Sequence, residues 1–233
     1  MIHASLGERR MTKREKRERL AAIVERLKEV YPEATCALEY GGDGWRLLVM
    51  GRLSAQCTDA RVNIVCRELF EVFPDVYSMA EGDLSEIERI VKPCGLYRTK
   101  AKNIKDSAAV LVEKYGGRLP DNMDALLELP GVGRKIANLL LGDIFGQAAV
   151  VCDTHCIRIS GRLGMYPEKE KNPDKIERIL RELIDPAEGS DYCHRIVNFG
   201  REVCTARSPR CGECPLSDLC EKRIRELGRS DVK

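Results

Sequence analysis

Apolar residues recur at Leu20, Ile23, Leu27 and Val30, the three-to-four-residue spacing that gives a helix one apolar face. The same period runs from Trp45 to Gly146 through WRLLVMGRLSAQ, ARVNIVCRELFEVF, SEIERIV, TKAKNIKDSAAVLVEKYG, MDALLEL and GRKIANLLLGDIF, each closed by proline, glycine or a polar turn. A short apolar run, AAVVC, precedes three further helical segments, DTHCIRISGRL, PDKIERILREL and DYCHRIVNFGREV. Asn172 is placed to cap the second of these, with Pro173 at its first helical position. No segment sustains the two-residue alternation of a half-buried strand, so the expected fold class is all-α. Pro32 and the cluster GGDG at 41–44 break the first pattern and put a domain boundary near residue 37. There is no internal repeat.

Composition adds little to this picture. At 233 residues, 43% hydrophobic and 33% charged, the chain is an ordinary globular one, large enough for one domain or two. A net charge of +2 argues for no partner class by itself, so any anion must be met by a local cluster. Residues 9–19 carry seven Lys/Arg against two acids and read as a solvated helix start, with a phosphate-seeking arm as the alternative. No apolar run is long enough to cross a bilayer, and the N-terminal residues lack an apolar signal region, so the protein is expected to stay inside the cell. Eleven cysteines in such a chain are expected to be thiols or metal ligands rather than disulfides.

LPGVGRKIA, Leu129 to Ala137, carries the first chemistry. Pro130 ends one helix, Gly131 and Gly133 permit backbone angles closed to other residues, and Val132 can anchor the turn. Two cations, Arg134 and Lys135, then open a helix against its dipole, which points to an anion at the unpaired N–H groups, such as a DNA phosphate. Alone, the turn would serve as a tight helix connection, and Lys135 would be a solvated lysine. Asp153 stands at the start of a later helix, where an aspartate is ordinarily an N-cap.

Cys204, Cys211, Cys214 and Cys220 form C-x6-C-x2-C-x5-C, with Arg207, Pro209 and Arg210 in the longest loop. Four thiolates in so short a span can close a tetrahedral site, for zinc or for an iron–sulfur cluster. The spacing differs from the two separated C-x2-C pairs usual for zinc. The other seven cysteines fall mostly on apolar helix faces and read as small core residues.

LPGVGRKIAN and VCDTHCIRISGRLG, together with LSAQCTD (53–59), GLYRTKAKNI (95–104) and the cysteine loop, resemble the endonuclease III branch of the helix-hairpin-helix DNA glycosylases across residues 50–220. The resemblance implies two helical domains with a DNA-binding cleft between them. One is a six-helix barrel at 37–147 containing the hairpin (about 123–145); the other is a cluster domain made of 1–36 and 148–233. It implies Lys135 as amine nucleophile, Asp153 as catalytic carboxylate, and a [4Fe–4S] cluster on Cys204, Cys211, Cys214 and Cys220. It assigns DNA contacts to Gln56, Leu96, Gly131, Val132, Gly133, Arg134 and His155. From their local sequence, Gln56 would be a surface helix residue and Leu96 a core leucine; the resemblance makes them wedges that fill the duplex when a nucleotide is flipped out.

The implied activity is excision of oxidised or ring-saturated pyrimidines from double-stranded DNA, followed by lyase cleavage at the abasic site, by an intracellular monomer that is cytoplasmic and nucleoid-associated if the source is prokaryotic. Lysine suits the lyase step because an amine at the sugar C1′ forms an imine from which the 3′ phosphate can be eliminated. Only a neutral amine attacks, and an unperturbed lysine is neutral in roughly one molecule in 2,500 at pH 7. Arg134, the helix start and exclusion of water are expected to favour the free amine. Cys152, Cys156 and Ile136 depart from the family pattern and bear on lesion preference. The alternatives are a mismatch glycosylase without lyase activity and a non-catalytic DNA-binding protein with a structural metal loop.

Overall fold

The computed structural model describes residues 11–224. Among these there is no strand, residues 221–224 are helical, and the earlier α-helices are α1 (Lys13–Val30), α2 (Gly44–Leu53), α3 (Asp59–Val72), α4 (Val76–Glu81), α5 (Leu84–Val91), α6 (Tyr97–Tyr115), α7 (Met123–Leu127), α8 (Arg134–Asp143), α9 (Thr154–Arg162), α10 (Pro173–Leu183) and α11 (Gly189–Glu202). No helix among the described residues is long and apolar enough to cross a membrane. Helix starts follow the capping rule closely. Thr12 and Glu15 form a reciprocal capping box on α1, while Asp43, Thr58, Asp75, Asp83, Asn122, Asp153 and Asn172 each accept a backbone N–H at the next helix start.

Helices α2 to α8 pack on one another, with α6 lying against α2, α4 and α5. Helix α1, far away in sequence, docks instead on α10 and α11. Its apolar stripe of Leu20, Ile23, Val24 and Leu27 is buried there, each side chain contributing about 1.5–3 kcal/mol. Its cations are engaged by the same partners. Lys13 pairs with Glu182 at 2.6 Å, Lys16 and Arg17 donate to the carbonyls of Met165 and Glu182, and Arg26 bonds Asp218 and the Pro215 carbonyl. The described part of the basic segment is therefore a largely solvated helix start, as expected, several of whose cations also clasp the C-terminal half; residues 9 and 10 lie outside the described residues. Helices α8 and α11 join the two groups.

Two expectations fail at the ends of helices. The segment Trp45–Gln56 is helical only to Leu53, and Gln56 lies exposed in a turn at φ 56° rather than on a helix surface. Leu96 is no core leucine: it is 61% exposed at φ 49°. Among the described residues these are the two non-glycine positions in left-handed backbone, a conformation costing roughly 1–2 kcal/mol each.

The contact that holds both lies beneath them. Lys100, on the inner face of α6, is fully buried, and its Nζ donates to the carbonyls of Leu53 (2.9 Å) and Cys94 (2.8 Å). The first is an orphan carbonyl at the end of α2; the second immediately precedes Gly95 and Leu96. Burial pulls the Lys100 amine below the ordinary lysine value, against the pull of nearby Cys94 and Cys57. One ammonium thus ties together the two turns that expose Gln56 and Leu96. Lys100→Met keeps the volume and leaves two buried carbonyls unsatisfied, so unfolding stability is expected to fall by about 2–5 kcal/mol. Hydrogen exchange should accelerate selectively at residues 54–57 and 94–97.

Candidate active site and cluster loop

The hairpin between α7 and α8 is shaped by one steric demand. Gly131 sits at φ 78°, and a Cβ there would lie 2.5 Å from Asn103 Nδ2 and 2.6 Å from Arg52 Nε. Val132 is buried, its N–H donating to the Leu129 carbonyl at 3.0 Å, and Ser107 Oγ donates to the Pro130 carbonyl at 2.8 Å. These contacts fix the turn from below. Gly133 starts α8 without a side-chain cap, and nothing lies within 4 Å of where its Cβ would be. The first N–H groups of α8 therefore face open space, an anion site that requires no side chain.

Arg134 departs from its expected role. Its guanidinium makes a two-pronged bond to buried Glu177 on α10, at 2.9 and 2.5 Å, with Asp174 3.8 Å away. It ties the hairpin to α10, and its charge is paired with carboxylates there. The adjacent Lys135 is exposed, against the expected exclusion of water, and lines a cleft of about 650 Å³ together with Asp153, His155, Ile136 and Asp59. Asp59, at the start of α3, meets Arg201 of α11 at 2.5 Å.

Asp153 enters the cleft as the N-cap of α9. Its Oδ1 accepts the Cys156 N–H at 2.7 Å, and its Oδ2 lies 3.0 Å from His155 Nδ1. Burial pushes the carboxyl up, but the His155 bond, the Cys156 N–H and the charges of His155 and Lys135 together hold it below the usual aspartate range. The carboxylate is therefore ionised and sits within the field of Lys135. His155, expected at the DNA, lines the cleft and is hydrogen-bonded to this carboxylate. Gly200 makes its position available, since a Cβ there would come within 2.6 Å of the imidazole.

At its other end α9 fastens the cysteine loop. Arg162 donates to Cys204 Sγ (3.3 Å) and to the carbonyls of Thr205 (2.8 Å) and Ala206 (2.9 Å), and Arg158 donates to the Cys204 carbonyl (3.1 Å). Cys204, Cys211, Cys214 and Cys220 line one cavity of about 50 Å³ with Phe199, Val203 and Leu163. Burial first, and then the neighbouring sulfurs, push the Cys214 thiol up to about 11, against the Leu216 N–H. Four thiols converging on one apolar cavity, with an arginine aimed at a sulfur, fit a four-thiolate iron–sulfur cluster, whose cationic iron stabilises the thiolate form. The loop's own Arg210 is turned inward onto the Glu202 carbonyl, at 3.0 Å from its Nε. Lys100, Glu177 and Arg162 escape sequence reasoning, although Lys100 and Glu177 each stand in the apolar stripe of a helix.

Residues 49–186 match the family described as HhH-GPD superfamily base excision DNA repair protein, and residues 204–220 match the iron–sulfur binding domain of endonuclease III. The second match begins and ends on the outer cysteines, and the chain carries a [4Fe–4S] cluster. The endonuclease III of a Synechocystis strain is 46% identical over 88% of this chain and 93% of its own length; that of Bacillus subtilis is 40% identical over 85% and 90%. A solved structure of a trapped endonuclease III–DNA covalent intermediate superposes with a TM-score of 0.84 at 37% identity, covering 93% of this chain and 99% of that one. A non-covalent endonuclease III–DNA complex does so equally well, at 94% and 99% coverage. The chain belongs to the endonuclease III family of HhH-GPD base excision DNA repair proteins and is a DNA glycosylase and abasic-site lyase.

Proposed function

We propose that Lys135 is the amine nucleophile and Asp153 the catalytic carboxylate of a monomeric enzyme that removes oxidised or ring-saturated pyrimidines from duplex DNA at the nucleoid. The observation that carries this reading is that the two side chains enter one cleft from different helices, with an ionised carboxylate in the field of the amine. The unit formed by α2–α8 is the barrel domain (37–147), and 1–36 with 148–233 is the cluster domain. DNA crosses the cleft between them, one phosphate resting on the N–H groups of Gly131, Gly133 and Arg134, while Val132, whose N–H is held by Leu129, anchors the turn from inside. Gln56, beside the cleft-lining Ser54 and Cys57, fills the gap left by the flipped nucleotide, and Leu96 wedges the opposite strand.

The chemistry then follows from the residues present. The Lys135 nitrogen bonds to C1′ while the bond from C1′ to the base breaks and the base leaves. Asp153 opposes the positive charge that develops on the sugar as the base departs, and it relays protons. Opening of the sugar ring gives an imine; loss of a C2′ proton then expels the 3′ phosphate, cutting the strand. His155 keeps Asp153 aimed through its short hydrogen bond. The [4Fe–4S] cluster serves as a fold staple here, since its loop is bound to the end of the helix that Asp153 caps.

Borohydride reduction during turnover of thymine-glycol duplex is expected to link protein to DNA covalently, and Lys135→Ala to abolish that adduct. Asp153→Asn should lower base release by about 10²- to 10⁴-fold with duplex affinity retained. Gly131→Ala, strained at φ 78° and crowded by Asn103 and Arg52, should weaken binding to undamaged duplex about 10-fold in fluorescence anisotropy. Because the folded Asp153 carboxyl is held below its ordinary value, its ionisation stabilises the fold above about pH 4 and that contribution is lost as pH falls through the folded value. The stability gap between the native chain and Asp153→Asn, followed by urea unfolding, should narrow toward about pH 3.

A further inference from the structure

Three side chains outside the chemistry described so far meet at the far end of α8. Asp143 is the last residue of that helix, His194 lies in α11, and Cys36 lies in the chain between α1 and α2. One ligand atom from each falls within 4.8 Å of the others. His194 Nε2 is 2.9 and 3.1 Å from the two Asp143 oxygens, and Ser190 Oγ donates to Asp143 Oδ1 at 2.6 Å. The Asp143 and His194 side chains are only 6% and 14% exposed. Cys36 and His194 line the same cleft as Lys135, and eight residues of helix, about 12 Å, separate that lysine from Asp143.

We propose that Cys36, Asp143 and His194 form a binding site for a zinc-type divalent cation, with the fourth coordination position open toward the cleft. A thiolate, an imidazole and a carboxylate are the donor types such an ion takes, and three protein ligands with one open position is a known stable pattern for it. Tetrahedral zinc holds its nitrogen and oxygen ligands about 3.4 Å apart, so Asp143 and His194 need separate by only a few tenths of an ångström. Ser190 supplies the outer hydrogen bond that orients the carboxylate.

The frame under two of the ligands is rigid. A Cβ at Gly142 would lie 2.7 Å from Ser190 Oγ, and one at Gly189 only 2.3 Å from the Ala149 carbonyl oxygen. Helix α8 therefore lies close against α11 at Gly142, and the start of α11 lies close against the connection that follows α8, so the backbone around Asp143 and Ser190 is tightly packed. Cys36 closes the site from the α1–α2 connection. Burial, together with the charges of Asp143 and Asp59 and against the Leu38 N–H, pushes its thiol up to about 11. Metal binding therefore releases the thiol proton as the metal–sulfur bond forms. Thiolate and carboxylate together balance the ion's double charge, leaving the site neutral beside the cleft. An ion bound there clamps the helix carrying Lys135 to α11 and to the α1–α2 connection.

The test uses the full chain with its cluster in place and iron content measured throughout. Zinc titrated by calorimetry is expected to bind one equivalent at micromolar or lower concentration, to release a proton and to raise the melting temperature. Cobalt should add a thiolate charge-transfer band to the difference spectrum. Cys36→Ser should remove that band and weaken zinc binding by about 100-fold or more, and Asp143→Asn should weaken it similarly. Weak or absent binding by the native chain overturns the proposal. So does a band that survives Cys36→Ser, or zinc uptake matched by loss of iron, which would place the ion on the cluster cysteines. Should Asp143→Asn fail to fold, the native chain and Cys36→Ser decide the matter between them.

Discussion

The Asp153 carboxylate gives one oxygen to the Cys156 N–H and the other to the His155 ring, and most of the site's geometry depends on that division. The first bond starts α9; the second keeps the side chain from rotating out of the cleft. Because both bonds favour the ionised form, a carboxylate about four-fifths withdrawn from solvent stays charged where a neutral acid would be useless to a cationic sugar. Capping and catalytic placement are one constraint: the helix cannot start elsewhere without moving the carboxylate.

That constraint propagates along α9. The helix is short, Thr154–Arg162, and its last residue holds the cysteine loop through two carbonyls and a sulfur. A metal-closed loop at one end and a fixed cap at the other leave the intervening turns little freedom to shift. On the facing wall, the Arg134–Glu177 pair performs a similar task for α8, binding the hairpin to α10 so that Lys135, one residue later, projects into the cleft. Breaking a pair of this kind leaves a buried carboxylate uncompensated, so the two walls are held in register by a contact that is costly to lose.

Much of this was legible in the sequence because it is local. The Gly131 turn, the uncapped start of α8, Asp153 before a helix and four cysteines within seventeen residues are all short-range patterns, each with a steric or chemical cause. At Leu96 the lysine beneath stands only four residues on, but the left-handed turn at Gln56 was illegible from its own neighbourhood because it is held from outside, by a lysine 47 residues from Leu53. Arg134 misled for the same reason. Its partner Glu177 lies 43 residues away, and nothing in GVGRK shows that the cation is already taken. A charged residue inside an apolar stripe, as Lys100 is in α6 and Glu177 in α10, is the sequence signal that would have found both.

The distribution of cations explains how a chain of net charge +2 can serve on a polyanion. Arg134, Arg158, Arg162, Arg201 and Arg210 all sit near the cleft or the cluster loop, and each is engaged by a carboxylate, a carbonyl or a sulfur of the chain itself. Their work is to fix backbone, and the charge they bring is largely neutralised or turned inward. The row of N–H groups at the hairpin adds an anion-facing element whose partial charge cannot be titrated or rotated away. A surface built in that manner attracts phosphate over a short range only, which favours close fit at the site of a flipped nucleotide over strong adhesion to any duplex. On the reading proposed above, selectivity rests on how readily a given base pair opens, and the two strained turns at Gln56 and Leu96 meet that opening.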